Sequence, residues 1–110
     1  MKLPNGAQAI IDPRKITDYC LDPNHDEGKH KAILFRELLG MTAADAEVLI
    51  EAVKAAAIEN EASMGRRDKY GQRYIVEFDL AGKRGTARVR TAWIIRSTET
   101  VPRLVTCYIL

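Results

Sequence analysis

Gly28-Lys29-His30-Lys31 puts two lysines and a histidine into what reads as the first turn of a helix starting near Gly28. A first turn leaves backbone N–H groups unpaired and carries partial positive charge, so cations are disfavoured there in isolation. Such a turn can hold a phosphate or a carboxylate, which would reconcile Lys29, His30 and Lys31 with their position. The plainer reading is that Asp26 caps the helix, Glu27 offsets the charge and the three basic side chains face water.

A second polar set lies in segments with strand-like alternation. Arg88 and Arg90 share one side of a strand, Thr106 and Tyr108 share one side of another, and Arg73 and Arg103 occupy neighbouring strand positions. Arginine offers a rigid fork of donors suited to phosphate, while Tyr and Thr can orient an oxygen or stack a base or ribose. Tyr70, in Tyr70-Gly71-Gln72-Arg73, lies where a binding site can form at the start of a strand. The alternative is an outer sheet face kept soluble by arginine, with Arg88 and Arg90 paired across strands to Glu77 and Asp79.

Charge is unevenly divided. Residues 1–63 carry 7 Lys/Arg against 11 Asp/Glu and residues 64–110 carry 10 against 4, so the net charge of +2 joins an acidic half to a basic one. A basic half made of strands points to a face that attracts an anionic partner, RNA or an acidic protein. With 46% hydrophobic and 29% charged residues in a chain of 110, the expectation is one folded domain spanning 1–110. No apolar run has the length of a membrane span, and no signal-peptide core follows Met1, so the expected site is the cytoplasm, with delivery to another cell if the domain is cut from a larger protein. Oligomeric state is left open.

Several chemistries lack their signatures. There is no glycine-rich phosphate loop, C-x-x-C, H-E-x-x-H or nucleophile elbow. His25 and His30 are five apart, which does not put them on one helical face, so no metal site and no cofactor is expected. Cys20 and Cys107 read as reduced, partly buried thiols, with a disulfide as the alternative.

The elements that must position these residues follow from the hydrophobic period. Asp12-Pro13 opens a short helix over 13–20, with Ile11 stapled to Ile16. A second helix is expected over 29–39, packing Leu34, Phe35, Leu38 and Leu39, with Gly40 as its stop. Thr42-Ala43-Ala44-Asp45 is a capping-box variant opening a third helix over 43–60, buried through Ala46, Leu49, Ile50, Val53 and Ala57. After a basic connector, Gly65 to Lys69, the period becomes 2. Strands are expected at 72–80, 86–96 and 103–109, with Phe78 and Trp93 in the core and Val105, Cys107 and Ile109 on one side; a further short strand fits 7–11. The fold class is α+β, three N-terminal helices packed on a small antiparallel sheet formed by the C-terminal half.

Leu3-Pro4-Asn5, Asp12-Pro13-Arg14-Lys15-Ile16-Thr17-Asp18-Tyr19, Gly28-Lys29-His30-Lys31 and Val101-Pro102-Arg103-Leu104-Val105-Thr106-Cys107-Tyr108 together resemble a family of small bacterial domains of unknown function. The order of elements has a looser likeness to the toxin ribonucleases of the barnase, colicin and RelE kind. That likeness implies metal-independent RNA cleavage by 2′-OH attack. His30 would take the 2′ proton, Lys31 and Arg88 would stabilise the phosphorane, and Thr106 or Tyr108 would position the scissile nucleotide. Lys29, Tyr70, Arg73, Arg90 and Arg103 would contact substrate. The competing class is a non-enzymatic accessory or immunity-like module that docks an acidic protein, or RNA, through the basic sheet face.

Overall fold

The computed structural model describes residues 1–110. Its first helix, α1, is Pro13–Lys15 continued by a wider π-helical turn over Ile16–Cys20. The Asp12 carboxylate accepts from the Arg14 amide at 3.0 Å and Pro13 fills the first position, where a missing N–H is harmless. Leu21 N donates to Ile16 O across the wide turn, which places both Ile16 and Cys20 in the core.

Helix α2, Lys29–Leu39, ends at Gly40 with φ 68°; Gly40 N donates to Arg36 O and Met41 N to Phe35 O, so a left-handed glycine closes the helix. Its buried stripe is Ala32, Phe35 and Leu39. Leu34 and Leu38 do not join it and stay 40% and 46% exposed. Only a narrow stripe of α2 meets the core, and these two leucines lie about a quarter-turn away on its flank. The capping box forms as expected, with Thr42 and Asp45 capping each other's backbone. A 3-10 turn, Ala43–Asp45, leads into α3, Ala46–Glu59, which buries Leu49, Ile50 and Val53.

Four strands follow in an antiparallel meander: β1 Ala62–Asp68, β2 Gly71–Ala81, β3 Thr86–Arg96 and β4 Arg103–Ile109. The expected sheet lacked β1, because the segment Gly65 to Lys69 reads as a connector. Only Ala62 of β1 is buried, so it has no apolar alternation, and a bulge interrupts its pairing between Met64 and Arg67. Backbone pairing alone makes it a strand, and exposed arginines on a bulged edge are what discourages further pairing. The short strand expected at 7–11 is instead a 3-10 turn, Gly6–Gln8, and a single parallel bridge from Ile10 to Arg103.

All three helices cover one face of the sheet, α3 against β2 and α2 against β3 and β4. That face holds Val76, Phe78, Val89, Thr91 and Trp93. On β4 the register shifts: Leu104 opposes Trp93 and Thr106 opposes Ala92, leaving Val105 as the bulged residue. Leu104 therefore takes the core place expected for Val105, beside Cys107 and Ile109. Thr106 and Tyr108 alternate with the buried Cys107 and Ile109 and so point away from the core.

Candidate functional site

Lys31, in the first turn of α2, sends its side chain toward β4. Its Nζ donates to Tyr19 Oη and to Thr106 Oγ1, each at 3.2 Å. The same ammonium lies 4.7 Å from the centre of the Tyr19 ring and 5.2 Å from that of Tyr108. No carboxylate lies within salt-bridge reach of it. An open pocket of about 580 Å³ stands in front of this group, walled by α1 through Arg14, Asp18 and Tyr19, by His25, and by Thr106 on β4.

His25 was set aside in the sequence because its spacing from His30 suits no metal, yet it is the histidine of this pocket. Its ring packs edge-on against Tyr19, with centroids 4.7 Å apart. Its Nδ1 accepts from the Glu27 and Gly28 amides at 3.0 Å each, so His25 ties the turn that leads into α2, whose N-cap is Gly28 with no side-chain cap from Asp26 or any other residue. An Nδ1 so occupied leaves the neutral ring's proton on Nε2, making His25 a donor and not a base. Gly28 is required at this junction: a Cβ there would lie 2.4 Å from Tyr19 O.

Of the residues expected to act together, Lys31, Thr106 and Tyr108 converge. Arg90 lies one step further, opposite Tyr108 in the β3–β4 register and gripped by Glu77 through Nε at 2.8 Å and Nη2 at 2.7 Å. The Glu77 carboxylate and then the Tyr108 hydroxyl raise the Arg90 pKa above its ordinary value. His30 and Lys29 are exposed and line none of this pocket. Arg88 belongs to a separate depression of about 430 Å³, shared with Glu61 and Glu77, and pairs with Asp79 at 3.2 Å. Arg73 pairs with Asp68 at 3.8 Å, and Arg103 is held by Glu99 at 2.8 Å. Tyr70 sits in the β1–β2 turn with Lys69 over its ring. Arg73, Arg88, Arg90 and Arg103 are therefore all matched by acids, as the solubilising alternative supposed.

The sequence reading missed Asp18, Tyr19 and His25. Asp18 lines the pocket and accepts only from Thr17 Oγ1, at 2.9 Å, with no cation on it. The signal was present in Thr17-Asp18-Tyr19, one turn of polar side chains on a short capped helix, but nothing in the one-dimensional pattern joins it to Lys31. No three His, Cys, Asp or Glu side chains gather as metal ligands would, and no helix is long and apolar enough to cross a membrane.

Residues 2–110 match the family model described as domain of unknown function DUF6883, so the chain belongs to that family. A search of curated proteins gives no match. Among solved structures the fold is similar to a chain of a contact-dependent growth inhibition toxin–immunity protein complex from Klebsiella pneumoniae 342. The TM-score is 0.71 at 19% identity, over 92% of this chain and 99% of that one.

Proposed function

We propose that this DUF6883 domain is a toxin-type ribonuclease that takes an RNA phosphodiester into the Lys31 pocket and cleaves it by 2′-OH attack. The observation that carries the reading is Lys31: a half-buried ammonium with two hydroxyls, two aromatic faces and no carboxylate, at the back of an open pocket. An unpaired charge removed from water is costly unless an anion completes it. The phosphate oxygens would sit against Lys31 Nζ, with Arg14 and Lys15 at the rim.

Asp18, the unpaired carboxylate of the pocket, takes the proton from the 2′-OH, and the oxygen attacks phosphorus. Lys31 then meets the charge that builds on the phosphorane oxygens, and its hydrogen bonds to Tyr19 and Thr106 fix it there in advance; the P–O5′ bond breaks, leaving a 2′,3′-cyclic phosphate, and the departing 5′-oxygen takes its proton from water. His25, on the pocket wall with its Nδ1 taken by backbone amides, would offer Nε2–H as a donor. This reading moves the base from His30, which stands outside the pocket, to Asp18. The similarity to a chain of a toxin–immunity complex supports the setting of the proposal through fold alone.

A second reading is a protein-binding accessory or immunity-like module, favoured by the ion-paired open face, where Arg88 and Arg90 are already satisfied by Asp79 and Glu77. Incubating the purified domain with total cellular RNA in EDTA separates the two. The ribonuclease reading expects cleavage that is lost in Lys31→Ala and Asp18→Asn and kept in His30→Ala. Intact RNA from pH 5 to 9 would falsify it and leave the binding module. Cleavage abolished by His30→Ala but kept in Asp18→Asn would return the base to α2.

A further inference from the structure

Acids are scarcest at the end of the sheet where β1 turns into β2. Asp68 is shared by Arg66 at 3.2 Å and Arg73 at 3.8 Å, and Glu99 by Arg96 at 3.8 Å and Arg103 at 2.8 Å. Arg67 and Lys69 are exposed and have no acid at all. Six cations therefore stand over two carboxylates here, whereas further along β3 Arg88 and Arg90 are met by Asp79 and Glu77.

The backbone holds these groups together. Ser97 N donates to Tyr70 O at 3.0 Å and Ser97 Oγ to Lys69 O at 2.7 Å, which ties the β1–β2 turn to the end of β3. Gly71, with φ 147°, lets the turn lie so close, since a Cβ there would meet Ile95 O at 2.1 Å. Between turn and strand lies a hollow of about 310 Å³, its wall including Arg67, Gln72, Arg96 and Ser97 with Met64 and Tyr74. Met64 is 63% exposed and the neighbouring Tyr70 61%, with the Lys69 ammonium 5.2 Å from the centre of the Tyr70 ring. No residue of this hollow lines the Lys31 pocket.

We propose that this end of the sheet is a second contact for single-stranded RNA, gripping phosphates through Arg67 and Lys69 and stacking a base on Tyr70. The choice of ligand rests on the ribonuclease reading, while the geometry of the surface does not. A surplus of cations draws a polyanion by releasing its counterions. An exposed ring beside those cations gives a base a face to stack on without reading its identity. A protein partner would call for an apolar centre to the contact, and this hollow is walled mainly by polar side chains, which suit a sugar–phosphate chain. Strand β4 joins the two sites: two residues beyond Arg103 comes Val105, on the wall of the Lys31 pocket.

The test is fluorescence anisotropy of a labelled, 2′-O-methylated oligonucleotide of about twelve residues, which no 2′-OH attack can cut, titrated with the whole chain in EDTA at several salt concentrations. Log affinity should fall against log salt with a slope of about −3 or steeper, as about four neutralised phosphates require. The double variant Arg67→Gln, Lys69→Gln should bind about tenfold or more weakly at low salt and lose about 1.4 from that slope. Tyr70→Ala should bind at least about fivefold more weakly with the slope kept, and Tyr70→Phe should bind as wild type. Unchanged affinity and slope in the double variant overturn the proposal, as does wild type that fails to bind at low salt. A poly-glutamate peptide that displaces the oligonucleotide at equal charge also overturns it and gives the surface to an acidic protein. RNA cut by wild type with binding unaltered in the double variant sinks this surface alone. Binding weakened in the double variant with RNA never cut keeps the surface and sinks the ribonuclease reading.

Discussion

Replacing Lys31 by methionine separates a brace from a binding group. The ammonium makes two hydrogen bonds and faces two aromatic rings. At about 1.5 kcal/mol for each charged hydrogen bond and about 0.5–1 for each ring, the gross stabilisation is about 4–5 kcal/mol. Against it stands the dehydration of a half-buried charge with no carboxylate, several kcal/mol in a real protein. Methionine keeps a flexible apolar stem against Tyr19 and Tyr108. The two sides nearly cancel, so Lys31→Met should change stability by no more than about 1 kcal/mol in either direction. Urea unfolding followed through the single, buried Trp93 reads this directly, as a midpoint shift below about 1 M. RNA cleavage in the same variant should fall by about a hundredfold or more, the scale on which a fixed charge stabiliser acts. A loss of more than about 3 kcal/mol with cleavage intact would make Lys31 a structural brace and refute the reasoning.

Arg88→Ala should leave RNA cleavage within about threefold of wild type, because Asp79 and Glu77 already occupy its guanidinium; a loss as deep as that of Lys31→Met would put the substrate on the sheet face. Thr91→Val should cost about 2–3 kcal/mol in urea unfolding, since it strands the buried Trp93 Nε1–H and removes the bond to Val76 O; an unchanged midpoint counts against that network. Gly28→Ala should lower stability by about 1–3 kcal/mol and cleavage with it, as the added methyl drives α2 away from Tyr19 O; a neutral outcome means the α1–α2 junction gives freely. Asp45 is held below the usual carboxylate range by the Thr42 amide, and Glu99 by Arg103. Groups lowered in the fold stabilise above their unfolded values and lose that contribution as pH falls through the folded ones. Melting temperature should thus drop on acidification below about pH 4 and stay level from about 5 to 8, and a melt equally high at pH 3 contradicts this.

The fold was legible where local chemistry and period agree. Asp12-Pro13, Gly40 and the Thr42–Asp45 box mark helix ends through backbone groups that must be satisfied nearby, and the structure uses all three. Strands β2 and β3 show themselves because one face of each is buried. Strand β1 did not, since an exposed edge puts no apolar alternation into the sequence. The β4 bulge was equally silent: it exchanges Val105 for Leu104 by shifting pairing with β3, and both are apolar. Half of the site suffered the same limit. Lys31, Thr106 and Tyr108 stood out as polar residues in ordered elements, whereas Asp18, Tyr19 and His25 enter only because a wide π-turn and the Gly28 junction fold α1 against α2.

Charge explains why a basic half of the chain does not make a basic face. Arg73, Arg88, Arg90 and Arg103 are each met by Asp68, Asp79, Glu77 or Glu99, so the few acids of the C-terminal half sit where the arginines are densest. The cations without a carboxylate are Lys15, Lys29, Lys31, Arg67, Lys69 and Arg84, and all but Lys31 are exposed. Exposed lysines and arginines cost nothing to leave single, because water and salt screen them. Lys31 has given up part of its water for two hydroxyls and two ring faces, and these are weaker partners than a carboxylate. Sites that depart from the rules of stability in this way are where function concentrates. The fold has supplied acids to its crowded arginines and none to Lys31, and the pocket in front of that ammonium is open to an anion from outside.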